Sequence, residues 1–378
     1  MDSEENLGER SKCRKMDRDI NNLCMRFCPE GVSYIPLGEA TEMQRGTSIT
    51  KKNIIEGTVP VIAGGQKPAY YCDKANRDVD IITVAGSGAY AGYVSYWDCP
   101  VFVSDAFSVK AKEGSSTKYI YYAMQNLQSE IYATKKGGGV PHVHISSIEK
   151  MRIPLPPLPI QQEIIRILDT FTNLTAELTA ELTARRKQYE YYRDELLTFG
   201  EDVEYKKLGE VVSMKAGKAI KAQDIGEKNE LFSIPCYGGN GLRGYVKDAN
   251  CSGDKVLIGR QGALCGNVCF VSGEFYATEH AVVVSSDNNV DMRFLFHLLL
   301  KLNLNQYKTA GAQPGLSVSK LETVKVQIPS IEYQRRVSKV LDLFSRYIDN
   351  LEDGLPAEIS ARQKQYEYYR DKLLQFSV

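Results

Sequence analysis

Two short stretches carry residue types suited to reading the edges of nucleic-acid bases. In Ile258-Gly259-Arg260-Gln261-Gly262, an arginine and a glutamine stand between glycines. Glycines let a backbone approach a groove closely, and the two side chains make bidentate bonds, arginine to guanine and glutamine to adenine. A solvated turn with no role is the plainer reading. The stretch Gly238-Gly239-Asn240-Gly241-Leu242-Arg243 sets an amide beside a cation, and Gly64-Gly65-Gln66-Lys67 does the same. Amides suit adenine edges, and cations suit phosphates. Lys218, which follows Gly217, is a further cation beside a glycine.

A third pair of glycine-containing stretches is Lys135-Lys136-Gly137-Gly138-Gly139 and Ala310-Gly311-Ala312-Gln313, one bringing charge and the other an amide. His142 and His144 alternate on what reads as one strand face. They suit DNA contact or packing better than zinc, because no cysteine or carboxylate cluster adjoins them in sequence. Cys24 and Cys28, and Cys265 and Cys269, lack the paired C-x-x-C spacing of a zinc site and read as small buried hydrophobes, the second pair on a strand.

Catalytic motifs are missing. An amino-methyltransferase needs an Asn- or Asp-Pro-Pro-aromatic motif, whereas Pro156-Pro157 sits in Leu-Pro-Pro-Leu-Pro. A phosphate-cradling loop needs GxxxxGK[ST], but Gly217-Lys218 continues with Ala219, and Val212 replaces the first glycine. Glu204-Tyr205-Lys206 imitates a nuclease fragment without the upstream Pro-Asp, and Ser33 replaces Glu204 in the corresponding stretch.

The elements that must position these residues are written twice. Ala184 to Phe199 (ARRKQYEYYRDELLTF) recurs almost unchanged 177 residues later as Ala361 to Phe376. Val32 to Glu39 recurs as Val203 to Glu210. Between these anchors the likeness is weaker but ordered: Gly64-Gly65-Gln66 faces Gly238-Gly239-Asn240, and Gly88 and Gly92 face Gly262 and Gly266. Each copy opens with short β-branched runs joined by glycine turns, such as Val79 to Val84 and Lys255 to Ile258, which predict strands. Each has one helical stretch, Thr117 to Lys135 or Asp291 to Lys308.

After a proline stop each copy turns helical. Apolar residues at Ile160, Ile164, Ile167, Phe171, Leu174, Leu178 and Leu182, then Tyr189, Tyr192, Leu196 and Phe199, step by threes and fours, the seam of a coiled coil. About 40 residues make a rod of roughly 60 Å. The second helix starts at Ile331, and Gly354 and Pro356 predict a kink or break in it. The tyrosines of the KQYEYYRD blocks read as helix-interface packing. The fold class expected is α+β: two pseudo-repeated α/β domains joined by two long antiparallel coiled-coil helices.

The chain has 378 residues, room for about two domains. Lys+Arg 47 against Asp+Glu 47 leaves it formally neutral, so global charge names no partner. No apolar run approaches the roughly 20 residues of a membrane span, and nine cysteines without an export signal predict reduced thiols and a cytoplasmic, membrane-free protein.

The order of these parts, a Gly-rich unit, then IPLPPLPIQQEIIRILD, a Thr-Ala-Glu-Leu helix ending in RRKQYEYYRDELL, and the whole again, resembles the specificity subunit of a type I restriction-modification system. The resemblance runs from Met16 to Val378, leaving Met1 to Lys15 as a polar tail expected to be disordered. It implies target recognition domains at 16–157 and 200–329, and conserved spacer helices at 158–199 and 330–378. It implies double-stranded DNA, two methyltransferase subunits and restriction subunits as partners. S-adenosylmethionine, ATP and magnesium would sit on those partners, and none of them on this chain, which is expected to be non-catalytic. DNA-contacting loops lie near the Arg260 motif in the family. The candidate DNA-binding residues are then Gln66, Lys67, Ser87, Lys135, Lys136, His142, His144, Lys218, Asn240, Arg243, Arg260, Gln261 and Gln313. Ala85-Gly86-Ser87-Gly88 faces the Arg260 motif without an arginine, so the two domains are expected to read unlike half-sites. A protein-docking scaffold that binds no DNA is the alternative, favoured by the neutral charge, and a self-contained restriction enzyme is a remoter one.

Overall fold

The computed structural model describes residues 20, 22–49, 55–262, 264–286, 289–309, 315–349 and 354–376. The expected tail at Met1 to Lys15 lies outside the described residues, as does Gln313. The chain forms two compact units: unit 1 is Met1–Glu177 with Ile359–Val378, and unit 2 is Leu178–Glu358.

Unit 1 contains β1 (Tyr34–Pro36), β2 (Thr41–Arg45), β3 (Val59–Ile62), β4 (Tyr70–Cys72), β5 (Ile81–Ala85), β6 (Val94–Trp97), β7 (Phe102–Val103), β8 (Ala106–Ala111) and β9 (Arg152–Pro154). A four-stranded antiparallel sheet runs β2-β8-β5-β6, and a three-stranded sheet runs β4-β3-β7 with a parallel β3–β7 pair. The central strand β5, IITVA, is buried along its whole length, as an uncharged β-branched strand covered on both faces must be. Its helical cover includes α2 (Thr117–Asn126), which buries Tyr119, Ile120, Tyr122, Ala123 and Met124. The pair β1–β9 sets Tyr34 opposite Pro154 and ties together the two ends of the globular segment.

Unit 2 repeats this plan with β10 (Tyr205–Lys207), β11 (Ser213–Ala216), β12 (Ile234–Gly238), β13 (Gly241–Val246), β14 (Cys251–Ser252), β15 (Lys255–Gly259), β16 (Val268–Val271), β17 (Glu274–Ala277), β18 (Ala281–Ser285) and β19 (Lys325–Gln327). Its sheets run β11-β18-β15-β16 and β13-β12-β17-β14, and β10 pairs with β19. The matched glycines Gly92 and Gly266 have φ near +85° and +90°. A Cβ on Gly266 would lie 2.5 Å from the amide nitrogen of Asn305, so this turn admits no side chain.

The shorter helices of unit 1 are α1 (Leu37–Ala40), α3 (Gln128–Ala133) and α4 (Ile145–Ile148). The long helix α5 spans Leu158–Leu196 without interruption, about 60 Å. It begins where the proline run ends, and its Ile160, Ile164, Ile167, Leu168 and Phe171 enter the core of unit 1. Tyr189, near its other end, enters the core of unit 2. Leu174, Leu178 and Leu182 between them are half-buried. In unit 2, α6 (Leu208–Val211), α7 (Met292–Lys301) and α8 (Val318–Glu322) precede the second spacer stretch. That stretch is two helices, α9 (Ile331–Asp349) and α10 (Leu355–Leu373), so the predicted break at Gly354 is present. Pro356 falls in the first turn of α10, where a missing amide costs nothing.

Several local expectations need correction. The stretch 117–135 is not one helix, because α2 ends at Asn126 and α3 starts afresh at Gln128. The stretch 291–308 stops at Lys301, where Asn303 adopts a left-handed conformation (φ 46°) that a continuing helix cannot hold. His142 and His144 are not on a strand: His142 makes isolated bridges, and His144 is the residue that immediately precedes α4. Cys265 is buried but lies in a turn, while Cys269 is on β16. Among the KQYEYYRD tyrosines, Tyr189 and Tyr369 are buried, whereas Tyr191 and Tyr368 are 65% and 59% exposed and meet the neighbouring rings of Tyr192 and Tyr369, at 5.4 and 5.3 Å, and, for Tyr368, a lysine.

Candidate nucleic-acid interface

Three loops meet at the end of each unit's sheets. In unit 2 they are the β12–β13 turn at Gly238–Gly241, the loop after β15 at Arg260–Gly262, and the residues around Gly315. Backbone bonds fix their approach: Arg260 N–H donates to the His280 carbonyl at 2.8 Å, and Leu316 N–H donates to the Arg260 carbonyl at 2.8 Å. Gln261 bridges Gly315. A Cβ on Gly259 would lie 2.1 Å from the Gly239 carbonyl oxygen, so this contact requires glycine. Together the loops enclose an open cavity of about 620 Å³ whose lining includes Asn240, Arg243, Gln261 and His280.

Asn240, Arg243 and Gln261 are exposed around this cavity, and Lys218 is exposed on a segment that bridges Thr278. Arg260 differs from its expected free reach. It is half-buried, its Nη1 donates to the Glu279 carbonyl at 3.3 Å, and its Nε is buried without a partner. Thr278 Oγ1, Glu279 Oε2 and His280 Nδ1 are likewise buried and unpartnered. Buried polar atoms are ordinarily satisfied, so four in one segment and its neighbour set this junction apart from the rest of the unit.

Unit 1 builds the same junction from different side chains. Gly64 is pressed against Ser87: a Cβ there would lie 2.4 Å from the Ser87 carbonyl oxygen. Gly88 N–H donates to the Pro141 carbonyl and Val143 N–H to the Gly86 carbonyl, each at 3.0 Å. Lys136 and His142 exchange two backbone bonds of 2.9 and 2.8 Å, closing the Gly137–Gly139 loop into a hairpin. The structure thus brings Ser87, Lys136 and His142 together, and places Gln66 and Lys67 exposed on the β3–β4 turn. The His142 and His144 rings stack in parallel at 6.2 Å, and His144 Nδ1 lies 3.5 Å from Nη2 of the exposed Arg45. Lys135 is turned inward, over the Tyr132 ring and onto the Ala89 carbonyl at 3.1 Å, and is the candidate least free to reach a ligand.

Sequence reasoning missed Arg45, Asp105, Thr278, Glu279 and His280. The last four precede the matching strand starts Ala106 and Ala281, and that alignment is the one signal that pointed to them. Groups of three or more metal-ligating residues do not occur among the described residues, nor does a helix long and apolar enough to cross a membrane.

Behind these loops each unit is tied to its long helices by a matching polar contact. In unit 2, Tyr189 Oη lies 2.9 Å from His297 Nδ1, and His297 Nε2 lies 2.8 Å from Asp342 Oδ1. Burial pushes the His297 pKa below its usual value, against the pull of Asp342. In unit 1, Tyr122 takes the place of His297: its hydroxyl donates to Asp169 Oδ1 at 2.5 Å, and Tyr366 donates to Gln125 at 2.8 Å. Burial, then the Asp169 bond, raises the Tyr122 pKa. Lys118 and Arg293 add matched ion pairs to Asp169 and Asp342, at 2.8 and 3.6 Å.

Comparison with known proteins places this arrangement. The sequence matches the family described as "Type I restriction modification DNA specificity domain" over residues 29–185 and again over 200–361. It is 47% identical over 249 residues to the specificity subunit of the Escherichia coli type I restriction enzyme EcoprrI, covering 62% of each chain. It is 29% identical over 400 residues to the Escherichia coli EcoR124I/EcoR124II specificity subunit, covering 91% of this chain and 94% of that one. Among solved structures, its fold is similar to that of a type I restriction-modification S subunit from M. genitalium, with TM-score 0.68 at 21% identity, covering 91% of this chain and 96% of that one.

Proposed function

The chain belongs to the family of type I restriction-modification DNA specificity proteins, and we propose that it reads a bipartite, asymmetric double-stranded DNA target without catalysing a reaction itself. Residues 16–157 and 200–329 are the two recognition domains, one for each half-site. Exposed cations such as Lys67, Lys136, Lys218 and Arg243 hold phosphates and set the register, while Gln66, Asn240, Arg260 and Gln261 read base edges in the major groove. The observation that carries this reading is the loop junction built twice on one backbone plan with unlike side chains, Arg260-Gln261 in one unit and Gly86-Ser87 in the other. One plan with two chemistries suits two different sequences.

The stretches 158–199 and 330–378 act as spacers, packed antiparallel as a coiled coil, and dock two methyltransferase subunits. Restriction subunits join that core in the cytoplasm. A solved structure with a similar fold, TM-score 0.53 at 15% identity, is titled for complex assembly of the type I restriction-modification system. S-adenosylmethionine, ATP and magnesium belong to those partners, and adenine N6-methylation is the reaction this chain directs.

Mapping N6-methyladenine across a host genome with and without this gene tests the proposal. A methylated motif that vanishes with the gene, made of two unlike halves around a non-specific gap, is expected. A palindromic motif, a continuous one, or no lost motif would refute it. Formal neutrality favours a second reading, a scaffold that binds proteins only. A salt-sensitive shift of duplex DNA with the cognate methyltransferase subunits present excludes that reading.

A further inference from the structure

Asp105 stands in the link Ser104-Asp105 between β7 and β8. Its carbonyl accepts from Gly86 N–H at 3.0 Å, which holds it against the Gly86–Gly88 loop of unit 1. Ser87 donates its hydroxyl to Asp105 Oδ2. The other oxygen, Oδ1, lies at Gly86, where a Cβ would come within 3.3 Å of it. The residue is exposed, and its carboxylate meets no cation among the described residues.

A duplex carries one negative charge per roughly 1.7 Å of axis, so a bare carboxylate on a DNA-facing loop is repelled unless it accepts a hydrogen bond. An ionised carboxylate accepts only. The major groove offers it two donors, the exocyclic amines of cytosine and adenine; guanine and thymine present oxygen acceptors. Adenine sets its N7 acceptor beside the amine, whereas cytosine presents the amine alone, so a lone acceptor favours cytosine. With Oδ2 committed to Ser87, Oδ1 is the free acceptor.

We propose that Asp105 is a specificity-determining residue of unit 1 that accepts the N4 amine of a cytosine in the major groove. The assignment rests on the DNA-reading function proposed above. It is particular to unit 1. In unit 2 the corresponding link is Thr278-Glu279-His280, one residue longer, and Glu279 Oε1 already lies 3.3 Å from His280 Nε2.

The test combines the full chain with its cognate methyltransferase subunits and selects duplexes from a library randomised through both half-sites. The wild-type complex should select a cytosine at one position of one half-site. Asp105→Ala should lower that preference about tenfold, at the lower end of a good base contact, with every other position unchanged. Asp105→Asn keeps an acceptor for Ser87 and turns a donor toward the base, so its preference should leave cytosine, whose edge offers only an amine donor, for a base that presents an acceptor at the same position. Both variants should bind non-cognate duplex more tightly, since a negative charge is gone. An unaltered cytosine preference in both variants, or a change at a position preferring guanine or thymine, overturns the assignment. Should Asp105→Ala fail to assemble, Asp105→Asn decides. If the wild-type complex selects no sequence, the DNA-reading function itself fails, a result separable from a selective complex indifferent to Asp105.

Discussion

Tyr189→Phe removes a single oxygen from the polar contact behind unit 2, and the structure sets its cost. Asp342 accepts from His297 Nε2, which leaves Nδ1 as the acceptor of the Tyr189 hydroxyl (a tautomer fixed by the partners). The His297 side chain has no solvent exposure, so without the hydroxyl Nδ1 stays buried and unsatisfied. An orphaned buried acceptor costs about 1–3 kcal/mol. Tyr366 is the repeat-equivalent residue of unit 1, but its partner Gln125 is only half-buried and water can replace the lost bond. Tyr366→Phe should therefore cost about 0.5–1.5 kcal/mol. A chain with two units need not unfold in one step, so hydrogen exchange of α7 and α2 amides, read separately, is the assay. Protection in α7 should fall in Tyr189→Phe by more than protection in α2 falls in Tyr366→Phe. Equal losses, or none in α7, would refute the assigned tautomer and the burial argument.

Acid should weaken unit 2 through the same histidine. Its folded pKa is depressed by burial, so the stability it contributes is present above the unfolded value near 6.5 and is lost as pH falls toward the folded value; α7 exchange at pH 7.5 and 5.5 measures the loss, and His297→Tyr, the unit 1 solution, should reduce it. Leu373→Ala removes a side chain from the unit 1 core and should cost about 2–5 kcal/mol there while sparing unit 2, as limited proteolysis of the two units will show. Arg260→Ala should relax one half-site by roughly 1–3 kcal/mol and leave the other unchanged in a methylome; equal loss at both would indicate damaged folding. A third Thr-Ala-Glu-Leu unit inserted after Leu182 adds roughly 6 Å and about 40° to α5, which should widen the gap between half-sites by about one or two base pairs with both half-sequences kept. An unchanged gap with methylation retained would show that α5 does not set the spacing.

Much of the plan was legible because it was written twice. The ends of each copy, the strands at Ile81 and Lys255 and the break at Gly354 follow from local pattern and repetition. What local pattern could not convey is which element completes which core. Tyr369, Leu373 and Leu374 lie at the chain's far end, yet belong with Ile160 and Phe171 in unit 1, where the Tyr369 and Phe171 rings stack at 5.2 Å. An apolar seam announces that a helix needs a partner and leaves the partner open. The site was half legible for a similar reason. Gln66, Asn240 and Gln261 stand out beside glycines, while Asp105 and His280 owe their place to backbone bonds with Gly86 and Arg260 that no spacing rule records.

Those two bonds also explain how one plan carries unlike side chains in its two copies. Gly86 and Arg260 occupy the same place, and each donates its amide across the sheet end, to Asp105 in one unit and to His280 in the other. The loop position is therefore set by main-chain groups, which every residue but proline supplies. Side chains there can change from hydrogen to guanidinium without moving the backbone that presents them. The polar contact behind the sheets shows the same tolerance, since Tyr122 and His297 reach equivalent aspartates with different atoms. The near-identical helix ends differ in kind, because Tyr189 and Tyr369 are packed into cores where a change of shape is felt at once. A fold whose loops hang on backbone bonds and whose framework hangs on side-chain packing tolerates substitution at the loops more readily than at its helix ends.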